Sequence, residues 1–365
     1  MIVKSRWPPL SWATVVPVLG IVVLGIAWGR DLGVVFVVLV ALVLGGTVLA
    51  AVHHAEVVAH RVGEPFGSLI LAVAVTVIEV ALIVTLMISG GPDAASLARD
   101  TVFAAVMITA NGIVGISLLL GALRYGVTLF NSEGTGAALA TVTTLATLSL
   151  VLPTFTTSHP GPEFSPAQLT FAALASLALY GLFVFTQTVR HRDFFLPVTS
   201  DGGVETEEHT PPPSRQAARI SLGILLVALV AVVGLAKVES PAIESAVRAA
   251  GFPPSFVGVV IALLVLLPET LAASRAALRE QVQISLNLGY GSAMASIGLT
   301  IPAIALASVW LDGPLLLGLG PTQMVLLALT VVVSVLTVVP GRATRLQGGV
   351  HLVLLAAFLF LAINP

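Results

Sequence analysis

Residues 63–83 read GEPFGSLILAVAVTVIEVALI. From Phe66 onward the run is apolar and close to the roughly 20 residues with which a helix crosses about 30 Å of hydrocarbon. One residue interrupts it: Glu79, near the middle. A carboxylate at the centre of a bilayer costs at least about 2.5 kcal/mol on insertion scales, so it persists there only if protonated, paired or facing a polar cavity. The stretch therefore makes two claims: the chain is a membrane protein, and Glu79 is there for a reason.

The rest of the chain agrees with the first claim. Of 365 residues 57% are hydrophobic and 9% charged, and the mean hydropathy is +1.06, too apolar for a water-facing surface. The apolar runs are too long for the short alternating strands of an outer-membrane barrel. The expected fold is an all-α integral membrane protein with helices near 11–28, 33–60, 66–89, 101–123, 136–158, 166–189, 219–238, 254–277, 282–311, 321–340 and 348–363. The first apolar run is long for a signal peptide and lacks a small-residue cleavage site, so it reads as a retained helix. With no cysteine there are no disulfides, thiolate metal sites or cysteine nucleophile.

The most hydrophilic segment, 190–218, carries prolines, glycines and the acids Glu205, Glu207 and Glu208, the composition of a solvated linker. It separates residues 31–189 from 219–365, with 1–30 holding the first helix. Assigning basic residues to alternating sides puts Lys4, Arg6, Arg61, Arg124, Arg190, Arg192, Arg215, Arg219, Arg275, Arg279, Arg342 and Arg345 with the N-terminus. Arg30, Arg99, Lys237 and Arg248 fall opposite. The bias predicts a cytoplasmic N-terminus and linker, and eleven spans put the C-terminus outside the cell membrane.

Five helices precede the linker and five follow it once the first is set aside, so any repeat is inverted. EPFGSLILAVAVTVIEVALI aligns with PPSFVGVVIALLVLLPETLAA, placing Phe66 on Phe256 and Glu79 on Glu269. Neither acid has Arg or Lys within a turn on its own helix, and the two pair most simply with each other at the midplane, where inverted-repeat transporters place their site. Pro268, just before Glu269, frees a backbone carbonyl. Oxygen donors gather nearby: Thr76, Thr109 and Asn111, then Ser285, Asn287, Ser292, Ser296 and Thr300. Carboxylates, carbonyls and hydroxyls suit a hard cation. Two carboxyl groups hold one divalent cation or up to two protons, and that mutual exclusion is the physical basis of antiport.

Blander readings stand beside these. The two acids also fit protonated structural groups bonded between helices. Asn111, Asn287 and Ser292 also fit polar contacts between packed helices, and Gly112, Gly115, Gly289, Gly291 and Gly298 read as close-packing positions. His53, Glu56 and His60 share one helical face near the cytoplasmic end, with Glu64 following. They suit an access path for protons or cations, a solvated helix end, or a metal site without the HExxH spacing.

The segments HRVGEPFGSLILAVAVTVIEVALI, FAAVMITANGIVGISLLLGAL and LLPETLAASRAAL with QISLNLGYGSAMASIGLTIPAIA closely resemble the ChaA-type bacterial calcium/proton antiporters, in the CAX branch of the calcium/cation antiporter superfamily. The resemblance spans most of the chain. It implies eleven helices with inverted five-helix repeats, and cation export driven by proton entry. By position Glu79 and Glu269 match the family's paired acids, while Asn111 and Ser292 fall in the polar motifs of helices four and nine. The wider family's Gly-Asn-x-x-Glu wording is absent, Val75-Thr76-Val77-Ile78-Glu79 standing in its place.

The expectation is a secondary antiporter, most simply Ca2+/H+, with Glu79, Glu269, Asn111, Ser292, Thr76 and Asn287 at the site. Na+/H+ or K+/H+ exchange is the alternative within transport. An intramembrane metal-dependent hydrolase using His53, Glu56 and His60 is the alternative outside it, though no nucleophile motif accompanies them. A channel would need a continuous filter, and none is visible. No resident cofactor and no nucleic-acid partner are expected. The partners are the lipid bilayer, small cations and protons.

Overall fold

The computed structural model describes residues 11–30, 32–63, 66–89, 95–198, 212–310 and 313–365. Glu64 and the linker acids Glu205, Glu207 and Glu208 lie outside the described residues, as do Lys4 and Arg6. The described chain forms α1 (Trp12–Ala27), α2 (Val34–Val62), α3 (Phe66–Ser89), α4 (Leu97–Tyr125), α5 (Ser132–Thr154) and α6 (Pro166–Arg190). After the linker come α7 (Arg215–Ala249), α8 (Phe256–Ala277), α9 (Val282–Ala307), α10 (Pro321–Val338) and α11 (Arg345–Ile363). Ten of these are long and apolar enough to cross a bilayer, and α1 is a shorter apolar helix.

Local chemistry sets the helix ends. Asn131 accepts from the amides of Glu133 and Gly134 to start α5. Ser165 and Gln168 form a capping box around Pro166 at the start of α6. Ser214 caps α7, and Thr344 with Gln347 caps α11. Each cap satisfies amides that the first turn leaves without partners. Gly63, at φ 78°, stops α2 in a conformation that a side chain would strain.

Loop contacts fix the alternation of the helices. At one end, the linker end, Arg61 donates to the Pro213 carbonyl at 3.4 Å and the Tyr125 hydroxyl donates to the Leu278 carbonyl at 2.9 Å. There too Thr128–Leu129 (β1) pairs antiparallel with Arg342–Ala343 (β2). At the far end Glu163 bridges Leu316, and the Gly318 amide donates to the Pro162 carbonyl at 3.0 Å. Helices α3 and α7 thus run from the linker end outward, while α8 runs back from the far end.

Two apolar clusters form the interior. One joins α1, α2, α3, α7 and the start of α8. The other surrounds α4 with side chains from α5, α6, α8, α9, α10 and α11. The most apolar window of α4 is 89% buried, as befits a helix apolar on every side. It approaches α11 so closely that a Cβ on Gly348 would sit 2.6 Å from the Leu119 nitrogen, and one on Gly115 would sit 3.0 Å from the His351 Cβ. Gly112, Gly289 and Gly298 likewise meet neighbouring side chains, but a Cβ on Gly291 would meet nothing within 4 Å. The packing role expected for Gly291 is therefore corrected.

Several helix boundaries differ from the sequence reading, α4 for one beginning at Leu97 and not near 101. Helix α7 does not end near 238 but continues through Pro241 to Ala249, because a proline inside a helix removes one hydrogen bond without ending it when neighbours hold both sides. Helix α5 begins and ends about one turn earlier, where Asn131 caps it. Helix α9 breaks at Leu299, between Val282–Gly298 and Thr300–Ala307. Pro302 explains that break, since it has no N–H for the Gly298 carbonyl. Helix α4 contains a π-turn over Ile108–Ile113.

Candidate functional site

Glu79 lies 13 residues into α3, about 20 Å along it, and is 2% exposed. The break in α9 faces it. Ser296, before the break, and Thr300, after it, both donate to Glu79 Oε2, at 2.9 and 3.1 Å. Its other oxygen, Oε1, has no hydrogen-bond partner among the described residues, and neither does the buried hydroxyl of Thr76 one turn earlier. Two hydroxyls thus fix the carboxyl group by one oxygen and leave the second free.

Glu269 lies 13 residues into α8, which enters from the opposite end. It is half-buried, and its buried Oε2 also lacks a partner. The electrostatic fields of Glu79 and Glu56 both reach it. The hydroxyls nearest in sequence do not serve it: Thr270 donates to the Leu266 carbonyl and Ser274 to the Thr270 carbonyl. Pro268 leaves the Leu264 carbonyl without its helical donor. Two carboxyl groups, each with an unpartnered oxygen, thus sit midway along helices that enter from opposite ends, with the Ser296 and Thr300 hydroxyls at the first, and carboxylate and hydroxyl oxygens are donors suited to a hard cation.

Asn111 stands elsewhere. Within the π-turn its Nδ2 donates to Thr330 Oγ1 of α10 at 2.9 Å, and its Oδ1 lies 3.1 Å from Nδ1 of His351 on α11. With the Asn111 oxygen as acceptor, His351 donates from Nδ1 and accepts the Thr337 hydroxyl at Nε2, 3.2 Å away. Both Asn111 and His351 are completely buried. The polar groups of Asn111 are thus committed to α10 and α11, and no hydrogen bond joins it to Glu79 or Glu269.

Asn287 is also engaged, donating to the Phe195 carbonyl at 2.6 Å and accepting from Gln283 at 2.9 Å near the linker end. Ser292 is half-buried and makes no hydrogen bond among the described residues. His53, Glu56 and His60 are exposed on α2. His53 packs against the Trp12 ring at 6.1 Å, while Glu56 lies within the electrostatic reach of Arg275 and His53. Among the described residues no three His, Asp or Glu side chains are grouped to hold a metal ion.

Ser296 and Thr300, named among the nearby oxygen donors but left out of the expected site, are the hydroxyls that touch Glu79. Ser296 and Thr300 are four residues apart, on one face of α9, which is a readable signal once Glu79 is known to lie opposite. His351 and Glu239, both buried, are not singled out by the sequence at all.

Among the described residues, eleven apolar helices carry two mid-helix carboxyl groups presented from opposite ends, the architecture of an integral membrane protein. The chain belongs to the sodium/calcium exchanger protein family, which it matches over residues 32–189 and 220–364. It is 46% identical to the putative ionic transporter y4hA of Sinorhizobium fredii, over 100% of this chain and 98% of that one. It is 36% identical to the sodium-potassium/proton antiporter ChaA of Escherichia coli, over 98% and 97%. Its fold matches native YfkE with TM-score 0.71, at 15% identity over 97% of this chain and 99% of that one. It also matches the H+/Ca2+ exchanger CAX with TM-score 0.70, at 16% identity over 95% and 86%. Family membership removes the hydrolase alternative: this is a cation exchanger of the calcium/cation antiporter superfamily, and the ions are its substrates.

Proposed function

We propose that the protein is a cation/proton antiporter in which Glu79 and Glu269 take up either a cation or protons, with calcium as the exported ion. The observation that carries this reading is the pair of unpartnered carboxylate oxygens, one on α3 and one on α8, at matching depth on helices that enter from opposite ends. Two carboxylates balance one divalent charge, and the cation and the protons compete for the same oxygens. Thr76 with its free hydroxyl is a further ligand in this proposal, while Ser292 lines the site and Asn111 and Asn287 support the helices that form it.

In the same reading residues 31–189 and 219–365 are inverted repeats joined by a cytoplasmic linker, with the C-terminus outside. The pentapeptide LVALV supports this, recurring at 39–43 in α2 and 226–230 in α7 with a spacing of 187 residues, which also separates Arg61 from Arg248. Glu56, with His53 and His60, forms the access path at the linker end, supported by the exposure of all three on α2; Glu64, expected to join them, lies outside the described residues.

A second reading, Na+/H+ or K+/H+ exchange, has its own support in the name of the Escherichia coli relative. Proteoliposomes loaded with a pH-reporting dye and offered calcium, sodium and potassium separately distinguish the two. Proton movement driven by calcium is the expected result. Movement driven by sodium or potassium alone establishes the second reading, and movement with none of the three ions refutes both.

A further inference from the structure

A further buried acid, unlike Asp100, has no ion-pair partner among the described residues. Glu239 on α7 is 1% exposed, and its Oε1 has no hydrogen-bond partner among the described residues. It follows Leu235 and Ala236 by four and three residues, and so continues the buried face that α7 turns to α1, α2, α3 and α8. No described cation neutralises it. On α7 itself Lys237 places its Nζ 5.2 Å from the Trp28 ring centroid, and Glu244 accepts from Ser240 at 3.2 Å. Helix α1 has no charged residue. On α3 and α8 the described charged groups are Glu79, Glu269 and Arg275, and those of α2 lie toward its linker end. Pro241, two residues on, leaves the Lys237 carbonyl without its helical donor.

The position of Glu239 gives this isolation a use. Glu79 lies halfway along α3, whereas Glu239 lies 24 residues into α7, which starts from the same end, so Glu239 is the nearer of the two to the far end. Leu82, Leu86, Leu235, Val257 and Ile261, on α3, α7 and α8, belong to one apolar cluster. Beyond Glu79, Leu82 and Leu86 cover two turns of α3, about 10 Å. Both leucines are buried, so apolar side chains follow Glu79 along α3 toward the far end. A buried carboxyl group without a cation partner is tolerated in a membrane chiefly as a proton carrier or beside a water-filled path.

We propose that Glu239 is the far-end proton site of the exchanger: it takes a proton from far-end water and hands it to Glu269 or Glu79 when the apolar cluster parts. Only a proton moves, from water to the Glu239 carboxylate and then to the acceptor carboxylate, and no other bond changes. The inference rests on the antiport reading above. It distinguishes two transport modes, because cation-for-cation self-exchange needs no proton whereas cation-for-proton exchange does.

The test is Glu239→Gln in proteoliposomes. Radioactive calcium self-exchange is measured beside calcium-driven proton flux, with rubidium and potassium replacing calcium if the wild type carries monovalent ions. Self-exchange stays near the wild-type rate, proton-coupled exchange falls at least about tenfold, and Glu239→Asp recovers part of it. Equal loss of both modes, or loss of neither, overturns the proposal. A wild type that self-exchanges cations but moves no protons instead refutes the antiport reading, and that result is visible without any variant.

Discussion

Glu79→Gln should abolish cation-driven proton exchange while leaving the protein folded in the membrane. The amide oxygen of Gln still accepts from Ser296 and Thr300, so the contact between α3 and α9 survives; the negative charge, and the ability to exchange a proton for a cation, do not. Removing one member of a buried charged contact costs about 2–5 kcal/mol, so initial rates should fall at least about 30-fold. Everted vesicles containing the variant, matched to wild type for inserted protein by fluorescence-detected gel filtration, provide the measurement. A variant that exchanges at the wild-type rate would show that Glu79 is a structural acid.

The second large effect is expected from Ser296→Ala combined with Thr300→Val. These hydroxyls donate to Glu79 Oε2 at 2.9 and 3.1 Å, and hydrogen bonds to charged groups contribute about 1.5–3 kcal/mol each. Without them the carboxyl group loses its fixed orientation, and the half-saturating cation concentration should rise by about tenfold or more. Because Glu79 and its charge remain, transport at saturating cation should persist. Cation titrations of the initial flux separate the two parameters. An unchanged half-saturation would place the cation away from this face of Glu79.

Much of the fold was legible because a bilayer demands long apolar runs, and eleven such runs correspond to eleven helices. Glu79 and Glu269 stand out in the sequence for the opposite reason: a carboxyl group is the conspicuous exception in such a run. Asn111 was not. Helix-four motif position suggested a ligand, but the π-turn over Ile108–Ile113 inserts an extra residue into the helical turn. A 3.6-residue period then no longer tells which way a side chain faces. Here Asn111 turns to Thr330 and His351. Ser296 and Thr300 were hidden among many hydroxyls, and only the partner across the interface distinguishes them.

Glu239 was obscured by its neighbours. Lys237, Ser240 and Pro241 make the stretch look like the end of a span, whereas α7 continues through Pro241 and keeps the acid buried. His351 is a similar case, since one imidazole in an apolar helix gives no hint that Asn111 and Thr337 satisfy both its nitrogens.

Mutual exclusion of cation and proton at Glu79 and Glu269 is the central claim, and the count of protons released as a cation binds tests it most directly. Calorimetric titration of the purified protein with calcium, and separately with sodium and potassium, in buffers of different ionisation enthalpy gives that count. Binding of the transported cation should release protons from wild type, and the Glu79→Gln/Glu269→Gln double variant should neither bind the cation nor release protons. Cation binding to wild type without proton release, or binding that survives in the double variant, would contradict a shared site.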